Sequence, residues 1–332
     1  MIRPPEPTQA ERRLTPGRGA GPRAASWQFQ RLRKRAARAF CSRLYRDTNR
    51  DERRSFMIAG TGRSGTTWLA EIVRSQVACR LMFEPFNPRK VRAYRSYNYF
   101  QYMRPGDSDA GLREYCRAVF TGNIRNRWID RGVTVLRPQF RLIKEIRANL
   151  MLKWIRTQFP SIPLLFIVRH PCAVVSSRLR LRWATDGDIA PFLAQPRLVD
   201  DHLADKMQVI ERAKTDEEKH ALVWCVSNLV PLRQFGAGEL TTVFYENLCA
   251  NPATEIERIF RQLEQSYRAS VFGALQEPSM MATHGSAVVT GDNRIASWRK
   301  ELTPRQIAAV LGVVEAFGLG HLYGESAMPV GQ

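Results

Sequence analysis

The sequence predicts an α/β fold: a mostly parallel sheet with helices on both faces, in a single domain behind a basic N-terminal extension. Three observations carry this. The apolar run 55–60 (SFMIAG) passes straight into a glycine- and hydroxyl-rich stretch. That stretch opens TTWLAEIVRSQV, where Trp68, Leu69, Ile72, Val73 and Val77 recur at helical spacing. Short strand-like runs then alternate with longer helical ones, the pattern of strands joined by crossover helices. A strand, a glycine-rich turn and a helix in that order make the start of the domain P-loop-like.

In chain order, residues 1–26 are rich in Pro, Gly and Arg and poor in large apolar groups, so no packed structure is expected there. Residues 27–54 read as a basic amphipathic helix with Trp27, Phe29, Leu32, Phe40, Leu44 and Tyr45 on one stripe. Such a helix either docks on the domain with a solvated arginine face or touches an acidic membrane surface or polyanion. Strands are expected at 79–84 (CRLMFE), 141–145 (RLIKE), 164–169 (LLFIVR) and 241–246 (TTVFYE). Helices are expected over 147–158, 172–182, 201–234, 252–265 and 304–317. The segments 87–135, 183–199 and 277–297 fit neither pattern, and long irregular segments tend to be binding loops or lids. The division is therefore 1–54 extension, 55–325 domain and 326–332 tail.

Composition narrows the partners. Lys plus Arg is 51 against 31 Asp plus Glu, a formal charge of +20. That balance favours phosphorylated or sulfated molecules, polyanions or anionic surfaces, and says nothing about fold. No signature of a nucleic-acid-binding module accompanies the charge. Six cysteines stand without a C-x-x-C pair or a histidine at zinc-ligand spacing, so reduced thiols and no metal site are expected. No run of 18 apolar residues and no apolar signal region occurs, and a cytoplasmic location is the simplest reading.

The strongest motif is Gly60-Thr61-Gly62-Arg63-Ser64-Gly65-Thr66-Thr67-Trp68. Glycines let several backbone N–H groups converge on one anion, and the helix N-terminus adds its dipole. Compared with G-x-x-x-x-G-K-[ST], Gly60, Gly65 and Thr67 are in place, but Thr66 stands where the lysine should be. The charge sits instead on Arg63, which suits a 5′-phosphosulfate better than a triphosphate. A P-loop kinase is the alternative that this substitution argues against.

The run resembles the 5′-phosphosulfate loop of the sulfotransferase family. The resemblance implies transfer of a sulfuryl group from 3′-phosphoadenosine 5′-phosphosulfate (PAPS) to an acceptor hydroxyl, leaving adenosine 3′,5′-bisphosphate (PAP), with no metal required. It places Arg63, Ser64, Gly65, Thr66 and Thr67 at the 5′ end and makes Trp68 either a base-stacking group or a core residue. LLFIVRHPCAVVSSRLRLRW (164–183) is similar to the family's 3′-phosphate motif, with Arg169 followed eight positions later by Ser177. An arginine can fork two hydrogen bonds onto a phosphate and a serine can add a third. The H-P and S-R of this run look like the carbohydrate branch, although His170 and Cys172 depart from its usual residues. Tyr245, in YENLCANP, resembles the family tyrosine near the adenine. SWRKELTPRQIAAV (297–310) resembles the closing tail segment, with Arg294 as a stand-in for the absent R-K-G.

Sulfuryl transfer needs a base for the hydroxyl and a cation for the leaving oxygen. Glu84 in LMFEPF is the expected base, its pKa raised by partial burial at the end of a strand next to the loop strand. The other reading of Glu84 is a carboxylate salt-bridged to arginine. The K-T-H of the cytosolic branch is Lys144-Glu145-Ile146 here. Lys144 is thus the expected cation, Glu145 the second candidate base, and the histidine is missing. Lipid, phenolic and polyketide hydroxyls fit the acceptor as well as a glycan does.

Overall fold

The computed structural model describes residues 36–183, 189–283 and 285–330. The chain divides into a unit 1–37 and a unit 38–332, and the second carries the sheet. The expectations for residues 1–26, for 27–35 and for 184–188 lie outside the described residues.

Five parallel strands form the sheet: β1 Ser55–Gly60, β2 Cys79–Phe83, β3 Phe140–Glu145, β4 Leu164–Val168 and β5 Thr241–Phe244. Their order is β2-β3-β1-β4-β5. Successive residues feed opposite cores, as strand geometry requires. Met57, Ala59, Met82, Ile143, Phe166 and Val168 face one core, and Ile58, Leu81, Leu142, Leu165 and Ile167 the other. Both faces are apolar because both are covered, which is the condition for a parallel sheet.

The main helices are α1 Thr66–Arg74, α2 Ala110–Phe120, α3 Leu152–Gln158, α4 Pro171–Arg180, α5 Asp216–Gln234, α6 Pro252–Gln262 and α7 Pro304–Ala316. Helices α1 and α6 pack on the second core; α4, α5 and α7 pack on the first. Among the described residues no helix is long and apolar enough to cross a membrane.

Several expectations need correction. The strand 79–84 does not lie beside β1, because β3 takes that place and β2 is an edge strand. A helical connection can step over one strand position, and consecutive strands are neighbours only about two-thirds of the time. The helix expected over 201–234 is broken. Thr215 and Glu218 form a reciprocal capping box that starts α5 afresh, after irregular helical turns over Val199–Arg212. Helix α2 stands inside the segment read as irregular, started by the Asp109 carboxylate accepting from the Leu112 N–H at 2.8 Å.

The helix expected through residue 54 stops at Leu44. Cys41 on it and Tyr45 just past it pack against Val133, while Phe40 and Leu44, read as part of the apolar stripe, are exposed. Beyond it Asp47 turns under the sheet. Its carboxylate takes Arg141 Nε at 2.9 Å and Arg80 Nη1 at 3.1 Å, and Asp130 takes Arg80 Nη2 at 2.9 Å. Both guanidiniums are essentially inaccessible to solvent.

Candidate active site

The carboxyl ends of all five strands contribute to one cavity of about 280 Å³, the place where open α/β sheets bind ligands. Gly62, Arg63, Gly65, Thr66, Thr67 and Trp68 line it from the β1–α1 loop. The loop is tight for stated reasons. A Cβ on Gly60 would lie 2.5 Å from the Ile167 carbonyl oxygen, and one on Gly65 would lie 2.8 Å from the Tyr245 ring. Gly65 has φ 103°, and no side chain caps the α1 N-terminus that follows. The α1 amides are therefore available to an anion, with the helix dipole behind them.

Ser64 does not reach the cavity. It is buried, and its hydroxyl donates to the Thr61 carbonyl at 2.7 Å, shaping the loop from inside.

The arginines converge from separate elements. Arg63 donates through Nε to Ser177 Oγ at 2.9 Å, so the serine expected to work with Arg169 is engaged by Arg63. Arg169, just past β4, donates to the carbonyls of Arg63 (3.3 Å) and Arg294 (3.2 Å) and lies 4.2 Å over the Tyr245 ring. Arg294 donates to the Leu275 carbonyl at 2.7 Å and lies 4.5 Å over Trp68. The Trp68 and Tyr245 rings pack at 4.9 Å, and Trp68 Nε1 donates to the Leu275 carbonyl. Trp68 is thus largely buried yet forms part of the cavity wall. Burial, and then the like charges of Arg169 and Arg180, pull the Arg63 guanidinium down to about 10. The buried Nε groups of Arg169 and Arg294 and the Thr61 hydroxyl have no hydrogen-bond partner. Buried unpaired donors are costly, and they fit an anion with several acceptor oxygens.

On the β2–β3 side, Glu84 is the second carboxylate reading made real. Oε1 accepts from Lys144 Nζ at 2.6 Å and Oε2 from Arg147 Nη1 at 2.6 Å. Burial pushes the carboxyl up, but Lys144 and then Arg147 more than cancel it, so its net shift is down and not the expected rise. Strand β2 ends at Phe83, one residue sooner than expected, and Glu84 is left-handed at φ 48° ahead of Pro85. That backbone is unfavourable for a residue with a side chain. It is held from both sides: the Glu84 N–H donates to the Lys144 carbonyl at 2.8 Å, and the Glu84 carbonyl accepts from Trp128 Nε1 at 3.2 Å.

Glu145, the other candidate base, points away from the cavity. It is fully buried and accepts backbone N–H groups from Phe86 (2.9 Å), Ile146 (2.7 Å) and Arg147 (2.9 Å). It staples the turn after β2 to the turn after β3. Burial raises its carboxyl despite Arg147.

The sequence reading missed Arg147, Trp128, Trp183, Arg180 and Glu301, all in the cavity wall. Arg147 stood three residues after Lys144, two residues past the end of the strand already singled out, and that proximity was the available signal.

The comparisons agree on family. The model described as "Sulfotransferase family" matches residues 55–269, well over half of the chain, so the chain belongs to the sulfotransferase family. No curated protein matches it by sequence. Solved structures similar to it include the sulfotransferase domain of a Synechococcus olefin synthase, at 16% identity, covering 85% of this chain and 99% of that one with a TM-score of 0.46. The sulfotransferase domain from the curacin biosynthetic pathway is 14% identical, covering 79% and 96% with a TM-score of 0.43. A mouse sulfotransferase complexed with PAP is 12% identical, covering 84% and 87% with a TM-score of 0.41. At those scores the family assignment rests on the family match alone.

Proposed function

We propose that this sulfotransferase uses PAPS as donor and a carbohydrate hydroxyl as acceptor. The observation that carries the donor reading is the middle of the cavity. There an uncapped helix N-terminus faces the cavity, and Arg169 and Arg294 present buried Nε–H groups that no protein atom accepts, next to Arg63. Arg63, Thr66, Thr67 and the α1 amides would hold the 5′ end, Arg169 and Ser177 the 3′-phosphate, and Trp68, Tyr245 and Arg294 the base. When bound, the donor supplies an activated sulfuryl group.

The chain's own part is to position the hydroxyl and move its proton. Glu84 takes the proton at a carboxylate oxygen. Lys144 is attached to the same carboxylate and can turn to an oxygen on the cavity side, which leaves Glu84 with Arg147 alone and brings its carboxyl back toward the ordinary range. The ion-paired Glu84 is thus a base in store. The six cysteines are unpaired and five are buried, which accords with a reducing, cytoplasmic setting.

A thermal-shift comparison tests the donor reading. PAP should stabilise the protein in the presence of EDTA, and ATP with Mg²⁺ should not. Stabilisation by ATP–Mg²⁺ with none by PAP would move the assignment to a phosphotransferase.

A further inference from the structure

Resting on that reading, we propose that the acceptor is an acidic carbohydrate, and that its negative group is recognised by a basic, aromatic shelf running outward from Glu84.

The shelf is a set of contacts centred on one carboxylate. The Phe83 ring has Lys144 Nζ at 4.6 Å and the Arg131 guanidinium at 5.1 Å. The Trp128 ring, 5.4 Å from Phe83 and edge-on to it, has Arg131 at 4.7 Å and Lys90 at 5.7 Å. The Tyr99 ring has both Arg147 and Arg89 at 4.6 Å, and its hydroxyl accepts from Arg147 at 2.7 Å. Trp128 is tied to the Glu84 carbonyl, and Arg147 to the Glu84 carboxylate. Five cations and three rings therefore hang together around a single carboxylate.

That carboxylate is already committed to Lys144 and Arg147. Arg89, Lys90 and Arg131 are exposed, and none pairs with a carboxylate among the described residues. This contrasts with other exposed arginines, such as Arg117 with Glu114 and Arg261 with Glu257. Trp128 and Tyr99 are half-buried and offer apolar ring surface suited to the C–H face of a sugar, while the buried Phe83 backs Trp128. The uncompensated charges next to them suit a carboxylate or sulfate on the same chain, which arginine can grip with two hydrogen bonds. A neutral glycan would use the rings and leave three positive charges serving only solvation. An acidic one gains both attraction and orientation toward Glu84.

The test uses the full chain saturated with PAP and fluorescence anisotropy of labelled probes: tetragalacturonate, neutral maltotetraose and a single-stranded oligonucleotide. Tetragalacturonate should bind more tightly than either of the others. Lys90→Ala with Arg131→Ala should weaken it by about tenfold or more, as loss of charged hydrogen bonds implies. Arg89→Ala should weaken it separately, and Arg261→Ala, beside the far edge strand, should change nothing. PAP affinity, measured on each variant, should stay constant. Equal binding of maltotetraose, tighter binding of the oligonucleotide, no binding of tetragalacturonate, or variants that leave its binding unchanged would each overturn the proposal with PAP still bound. Failure of PAP itself to bind would instead sink the donor reading, and this proposal with it.

Discussion

Glu84→Gln is the perturbation that separates a base from a merely structural carboxylate. The amide keeps the size of the side chain and one acceptor oxygen, but turns its other end into a donor. Lys144 Nζ and Arg147 Nη1 both sit 2.6 Å from Glu84 oxygens, so one contact survives and the other becomes a clash of donors. Removing one partner of a buried ion pair costs about 3–5 kcal/mol. With an acceptor retained and the side chain at the wall of the cavity, we expect about 2–3 kcal/mol. A stability of roughly 5–15 kcal/mol absorbs that loss, so the variant folds. Its kcat should fall about 10²–10⁴-fold, the usual consequence of losing a general base. PAP affinity should hold, because Arg63, Arg169 and Arg294 do not touch Glu84. The assay is transfer of radiolabelled sulfate to a glycan extract at saturating donor, with calorimetry of PAP and thermal unfolding on the same preparations. Since Lys144 and Arg147 hold the Glu84 carboxyl below its ordinary 4.5, the parental kcat should show no acidic limb from this group in the neutral range. A folded Glu84→Gln protein with near-parental kcat would refute the assignment, and the deep burial of Glu145 means that no second carboxylate on this strand pair could take over.

Three further predictions concern the frame of the site. Asp47→Ala leaves Arg80 and Arg141 buried without their shared carboxylate; stability should fall by about 3–5 kcal/mol and the Tm by roughly 5–8 °C. By the same reasoning a chain starting at Ser55 should fail to fold and one starting at Arg38 should fold, as soluble yield and thermal unfolding would report. Burial pulls the His170 imidazole down from 6.5 to about 4, against the carbonyls of Gly324 and Ser326. The unfolded chain then binds the extra proton first, so this stability is complete above about pH 6.5 and is lost toward pH 4, about 3 kcal/mol in all. His220 is depressed to about 4 as well. Urea midpoints for His170→Asn at pH 7.5 and 4.5 should therefore show about half of the parental acid sensitivity, and an unchanged sensitivity would show that His170 is not its source.

What could be read from the sequence was what is local in it. The loop Gly60–Trp68 and the pair Arg169–Ser177 each lie within a few residues on one strand–helix junction, and the backbone alone fixes where they go. Strand order is not local. Nothing in CRLMF or FRLIKE states that β3 enters between β1 and β2, since both are short strand-like runs with no signal of which neighbour each pairs with. That insertion is what brings Lys144 and Arg147 to Glu84 from 60 and 63 positions away and reverses the direction of its pKa shift. Helix α2 was hidden for a different reason. Its apolar residues Leu112, Tyr115, Cys116, Val119 and Phe120 are at helical spacing, but they are embedded among arginines and tyrosines in a long segment whose overall composition resembled a loop.

The placement of acids in the cavity argues for where its ligand's charge belongs. Two carboxylates line it, Glu84 and Glu301, and both are in short ion pairs: Glu84 with Lys144 and Arg147, Glu301 with Arg180 at 2.6 Å. The other three arginines of the wall contact only neutral groups. Arg63 donates to a serine hydroxyl and the Met281 carbonyl, Arg169 to two carbonyls, and Arg294 to one. A neutral oxygen accepts a hydrogen bond without cancelling the charge, so repulsion among these arginines persists in the folded protein, and it contributes to the lowered pKa of Arg63. Folding tolerates that repulsion where a later partner offsets it. The cations that are already neutralised frame the acceptor side and the α4 side. Within the cavity wall, Arg63, Arg169 and Arg294 are the cations left uncompensated, and they mark where the phosphates of the proposed donor would be held.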